Sequence, residues 1–295
     1  MPSSRSNLRG ILAMMSATGF FVINDTFMKL VTEDLPPFQT LFMRGIFASL
    51  ACLAIIVLFR QGGSLGQSLD PRVLARGFTE VGSVLCYIVA LAHMPIADVI
   101  AIGQTAPLML LLAAAIVFGD SIKGLRLGLI ALGFVGALMV AQPNAAGLSI
   151  HALLAFGSAA LVAVRDLIGR GIAASTPGFV VALATATLVM LGAGAFSFSF
   201  EIWVPPTSGH WLNIFFAGVL VALGHVCIIL SYRLGETAAV APFYYSFMIW
   251  AVIAGFLVWH QAPNLLGFAG MLLILLSGLT VILMDQRKNI FRFVD

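Results

Sequence analysis

Residues 7–30 read NLRGILAMMSATGFFVINDTFMKL, and this stretch decides the class of fold. Arg5 and Arg9 flank its start, Ile11 to Ile23 is almost wholly apolar, and Asn24-Asp25 ends the run ahead of Lys29. A bilayer-crossing helix needs about 20 such residues. A secretory leader would place small residues where Asn24 and Asp25 stand, so the run is expected to stay in the chain as its first crossing.

The rest of the sequence repeats that grammar. The chain has 295 residues, 61% hydrophobic and 9% charged, with a mean hydropathy of +1.07. Soluble domains carry about 25% charged residues, and so few charges cannot cover a wetted surface. The composition excludes a soluble enzyme, a disordered chain and a nucleic-acid binder. Apolar runs punctuated by Pro, Gly or charge place ten spans near 7–30, 37–59, 71–93, 96–118, 123–141, 149–172, 177–196, 211–232, 237–259 and 263–284. The expected fold is therefore an all-α polytopic membrane protein with ten transmembrane helices.

An even number of spans leaves both ends on one side. Arg5, Arg9, Arg60, Arg72, Arg76, Lys123, Arg126, Arg170, Arg233, Arg287, Lys288 and Arg292 all fall on that side, whereas loops 142–149, 197–210 and 260–262 carry no Lys or Arg. The net charge of +3 thus reports orientation, not an acidic partner. By the positive-inside rule both termini are cytoplasmic. Trp203, Trp211 and Trp259 mark the other boundary as an aromatic belt. Cys52, Cys86 and Cys227 lie in apolar runs without a metal-ligand spacing, so neither metal nor disulfide is expected.

The chain also repeats itself. An offset of 141 residues lays Asp25 on Asp166, Lys29 on Arg170, Pro36 on Pro177 and Gly77 on Gly218; with one inserted residue Gly128 meets Gly270 and Gly136 meets Gly278. Five spans per half is odd, so the halves enter the bilayer from opposite sides, a plan used by secondary transporters. The two domains are read as 7–141 and 149–284, followed by a tail, 285–295.

At His93-Met94-Pro95-Ile96-Ala97-Asp98…Pro107-Leu108…Phe118-Gly119-Asp120, and again at Leu234-Gly235-Glu236-Thr237-Ala238-Ala239-Val240-Ala241-Pro242…Tyr245, the halves resemble paired EamA domains of the drug/metabolite transporter superfamily. The family usually has Glu where Asp120 stands, and Gln261 holds the matching place in the second half. The resemblance implies a 5+5 inverted repeat and alternating access about a cavity lined by helices 1, 3, 4, 6, 8 and 9. It implies an inner-membrane location and a small-molecule substrate, with aromatic or broad-range amino-acid exporters the nearest branch. An uptake carrier for a riboflavin-like, adenosyl or carboxylate compound is the alternative. No cofactor is expected. The chain lacks a GxxxxGK[ST] loop, an HExxH helix and a G-x-S-x-G elbow, so ATP use and hydrolytic chemistry have no footing.

Charges inside spans cost about 2.5–3.5 kcal/mol each on insertion scales, so each needs a reason. Asp25 and Arg44 have equal estimated depth and opposite sign, which predicts an ion pair; Glu80 and Arg165 are matched in the same way across the repeat interface. Asp166 needs a partner elsewhere, because successive side chains on a helix diverge by about 100°. Either these charges dock helices, or they line a wet cavity for a zwitterion. In the second case Arg165 holds the carboxylate, and Glu80 or Asp25 takes the ammonium or a driving proton. The polar pairs Asn24-Asp25 and Arg165-Asp166 end matched apolar runs in spans 1 and 6, as a transporter site would. Ser83 and Tyr87 share a face with Glu80; Gln104 precedes Pro107, and Tyr244 and Tyr245 follow Pro242. These prolines are hinges or tolerated kinks. His225 is a packing residue or a relay, and Phe243, Tyr244, Tyr245 and Phe247 form an aromatic wall or face lipid.

Overall fold

The computed structural model describes residues 4–118, 124–143, 147–173 and 175–291, and places no side chain for residues 4, 5, 118, 238 and 285–291. Asp120, Lys123, Asn144 and Arg292 lie outside the described residues, and the Arg5, Arg287 and Lys288 side chains are likewise not described. Helices α1 (Ser4–Val31), α2 (Pro37–Leu58) and α3 (Pro71–His93) are followed by α4 (Ile96–Gly103) and α5 (Ala106–Phe118), then α6 (Gly124–Ala141). The second half holds α7 (Ile150–Gly169), α8 (Gly178–Phe200), α9 (Ser208–Leu234), α10 (Thr237–Val240), α11 (Ser246–Trp259) and α12 (Leu265–Phe291). Ten segments are long and apolar enough to cross a membrane. The arginine-rich ends form one face, called the basic face below; the turns at 32–36, 201–207 and 260–264 lie on the opposite face.

Two spans differ from the continuous helices that the apolar pattern predicts. The fourth breaks at Gln104-Thr105, and the ninth passes through a 3-10 turn, Ala241–Tyr245. Pro107 and Pro242 explain where: a proline lacks the N–H that would continue the ladder and crowds the preceding turn. The repeat offset puts Gln104 on Tyr245, so the breaks occupy matching stations in the two halves. Spans 1 and 6, whose apolar runs end at the polar pairs, are continuous helices. The last helix also continues to Phe291, beyond the 284 boundary expected from hydropathy.

Packing follows the same symmetry. α1 lies along α9 and α3 along α7, while α2 pairs with α8 and α6 with α12. The α6–α12 crossing is a backbone contact: a Cβ on Gly136 would stand 2.6 Å from the Gly270 carbonyl oxygen, and one on Gly270 2.4 Å from that of Gly136. Lipid provides no hydrophobic drive between helices, so such close approach supplies the van der Waals contact that holds them.

Helix ends are finished by side chains. Asp70 accepts from the Arg72 amide at 2.8 Å and Ser149 from Ala152 at 3.1 Å. Both oxygens of Glu201, at the end of α8, accept from the Phe38 and Gln39 amides at 2.8 Å, setting a carboxylate on the positive end of α2.

Candidate functional site

The apolar run that opens the chain delivers Asp25 to the interior, where it is 6% exposed. Its Oδ2 accepts from the Tyr87 hydroxyl at 2.7 Å and its Oδ1 from Asn24 Nδ2 at 2.8 Å. Arg44 is not its ion-pair partner, contrary to the depth argument. Depth along two helices says nothing of rotation about them, and a phenol on α3 occupies the position expected of the guanidinium. Arg44 is half-buried, with Asp25, Glu80 and Tyr87 as its electrostatic neighbours. Among the described residues its side chain makes no hydrogen bond or ion pair, and its Nε is buried without a partner.

Glu80 and Arg165 do meet, at 2.7 Å, and so join α3 to α7. Arg165 also turns back on its own neighbour: Nε and Nη2 each lie 2.8 Å from Asp166 Oδ1. The expected divergence of adjacent side chains is overcome by the length of the arginine stem. Arg165 is therefore engaged by two carboxylates, not free to hold a third.

Below this pair lies a cavity of about 340 Å³, lined by Arg76, Glu80, Gly169, Thr185, His225 and Ile229 among others. Its lining comes from the basic-face portions of α3, α7, α8 and α9. Arg76 donates to Thr185 Oγ1 at 3.0 Å. His225 contacts the Val221 carbonyl through Nδ1 at 2.7 Å and meets Phe21 edge-on at 5.3 Å.

The other residues singled out from sequence divide. Tyr244 joins Phe247 and Phe21 in an aromatic string, with centroid separations of 6.2 and 6.3 Å. Tyr245 leaves that wall, because its hydroxyl occupies the notch above Gly278 of α12. Phe243 is 37% exposed. Ser83 is buried against Ser158 at 3.1 Å, a contact between α3 and α7. Gln104 is 3% exposed at the helix break, its Oε1 unpartnered.

On the opposite face, α1 and α3 are tied by a residue that hydropathy placed only near a boundary. Lys29 Nζ donates to the Leu91 and Met94 carbonyls at 2.7 and 2.8 Å, using acceptors that the end of α3 leaves free. Trp259 covers the ammonium at 5.6 Å and donates to Glu33 at 2.6 Å. The repeat offset matches Lys29 to Arg170, but the two do not share this role. Arg170 is exposed on the basic face, and its side chain makes no polar contact among the described residues. Thr18 and Ser246, hydrogen-bonded at 2.8 Å between α1 and α11, were not foreseen from sequence.

Comparison with known proteins follows this geometry. Residues 8–142 match the EamA-like transporter family. The chain is 27% identical to the pseudopaline exporter CntI of Pseudomonas aeruginosa over 91% of its own length and 94% of that protein. It is 28% identical to the riboflavin transporter of Rhizobium johnstonii, over 74% and 72% of the two chains. It is 20% identical to the S-adenosylmethionine uptake transporter of Rickettsia prowazekii, over 96% of each. A crystal structure superposes with a TM-score of 0.65 at 20% identity, covering 97% of this chain and 99% of that one, which carries the fold alone.

Proposed function

We propose that this chain, an EamA-like secondary transporter of small metabolites and not an enzyme, exports amino acids or close relatives of them. One observation carries the reading: charged groups of both signs gather beside a cavity lined by the basic-face portions of α3, α7, α8 and α9, while Lys29 ties α1 to α3 at the other face. Asp25, Arg44, Arg76, Glu80, Arg165 and Asp166 are three cations and three carboxylates, a balanced host for a molecule that is itself neutral but dipolar. Asp25 is the acceptor for an ammonium, since Glu80 is already held by Arg165.

The basic face is cytoplasmic by the positive-inside rule, so this conformation loads from inside. Two repeats, 7–141 and 149–284, then exchange conformations to open the far side of an inner membrane, with Asp25 a candidate proton carrier. The similarity to an exporter over most of the chain supports outward movement. The riboflavin and S-adenosylmethionine relatives support a second reading, uptake of a larger metabolite. Purified protein in liposomes, tested for flux of an amino-acid panel with and without a pH gradient, separates the two. Saturable amino-acid flux is expected; saturable flux of riboflavin or an adenosyl compound alone would replace the substrate class.

A further inference from the structure

We propose that Arg44 is the seat of a carboxylate, or an equivalent planar anion, on the transported molecule. This rests on the reading of the interior as a transport site and adds the chemical group that every substrate must carry.

Arg44 is the seventh residue beyond Pro37, roughly 10 Å inside the opposite-face end of α2 at 1.5 Å per residue. Asp25 and Tyr87 each lie six residues inside the matching ends of α1 and α3, in the same layer. That layer lies between Glu80 and the Lys29 contacts to the end of α3. The other buried charges around it are satisfied: Asp25 by Tyr87 and Asn24, Lys29 by two carbonyls, Glu80 by Arg165. Arg44 alone in this group touches nothing polar, and its Nε is closed off from solvent as well as from protein.

A partly buried guanidinium with no hydrogen-bond partner is a costly feature for a membrane protein to hold, even with carboxylates nearby. A helix-docking arginine would have taken a carbonyl or one of the two nearby carboxylates. Tyr87 and Asn24 each donate to one oxygen of Asp25 and so orient that carboxylate, which makes no ion pair with Arg44 and keeps acceptor capacity for a further donor. The guanidinium is thus kept near Asp25 and Glu80 without being neutralised by contact. A guanidinium offers a rigid fork of donors that matches a carboxylate in two parallel hydrogen bonds. A ligand carboxylate on Arg44 leaves an adjoining ammonium in the layer that holds Asp25, the carboxylate proposed to accept it. The same seat is of no use to a molecule without an anionic group.

The test uses wild type, Arg44→Gln and Arg44→Lys in liposomes, with matched solutes: an amino acid, its amide, its methyl ester, the decarboxylated amine, a simple monocarboxylate and riboflavin. Thermal stabilisation of the purified proteins by each solute is the second readout. Wild type should favour the acid over its amide and ester. Arg44→Gln should raise KM for the acid roughly ten- to a hundredfold, the worth of a charge-assisted contact, and bring the acid-to-amide ratio close to one. Arg44→Lys should restore part of the preference, since a point charge lacks the fork. Equal loss for acid and amide, with normal insertion, would assign Arg44 to structure and overturn the seat. So would a wild type that carries or is stabilised only by solutes lacking an anion, or by no carboxylate at all. Flux of the monocarboxylate without the amino acid would end the amino-acid reading and leave the seat standing.

Discussion

Lys29 on α1 reaches the Leu91 carbonyl on α3 at 2.7 Å, fastening two helices of the same half at the face away from the basic ends. The second bond, to Met94, makes the ammonium a two-point clasp under the Trp259 ring. Burial of the lysine offsets much of what these bonds contribute, so the clasp selects a conformation more than it stabilises the fold.

Replacement of Lys29 by Gln should therefore loosen the clasp while leaving the protein folded. With a cysteine in place of Asn24, the labelling rate by an impermeant maleimide from the opposite face should rise about tenfold, the effect of losing one charged hydrogen bond. No change in labelling would show that packing alone limits access from that face.

Tyr87→Phe removes the hydroxyl that holds Asp25 Oδ2 and leaves that carboxylate short of a donor. A loss of about 1.5–3 kcal/mol is expected from a hydrogen bond to a charged group. Asp25→Asn in the same background should recover stability, because a neutral amide needs that donor less. Thermal unfolding in detergent measures both, and flux should fall in each variant.

The charges of the Glu80 cluster differ in burial, and that difference sets their cost. Glu80 and Arg165 side chains are 16% and 20% exposed, whereas Asp166 is 40% exposed. Breaking the first pair by Glu80→Gln should cost several kcal/mol, since it leaves Arg165 poorly compensated. Asp166→Asn should cost under about 1 kcal/mol, as solvent screens an exposed partner. A double-mutant cycle on Glu80 and Arg165 should show strong coupling; additive losses would mean that the contact contributes little.

At the α6–α12 crossing, Gly136→Ala forces a methyl into the Gly270 carbonyl, 2.6 Å away, and backbone must move. Overpacking of this kind costs about 1–3 kcal/mol. Gly128→Ala on the same helix meets nothing within 4 Å and should be silent. Unfolding temperatures of the two variants give the comparison directly.

What could be read in advance follows from which physics is local. Span number and location depend on about 20 apolar residues in succession, a property of the string itself. The Glu80–Arg165 pair was also within reach, because two long side chains tolerate error in rotation. Arg44 and Asp25 were misassigned because depth fixes one coordinate only, and a hydroxyl on α3 competed for the carboxylate. Lys29 escaped notice since its acceptors are backbone carbonyls, which leave no mark in a pattern of side chains. The breaks at Gln104-Thr105 and Ala241–Tyr245 were signalled by Pro107 and Pro242, but proline alone does not distinguish a bend from an interrupted ladder.

Those two interruptions stand at equivalent stations, one in each half, whereas the helices of the α2–α8 and α6–α12 pairs are uninterrupted. Under the alternating-access proposal, rotation at these two points of altered backbone bonding takes the place of sliding of whole helices through lipid. The stiffness of the frame and the compliance of the moving parts are therefore written into the same chain by the placement of a few prolines.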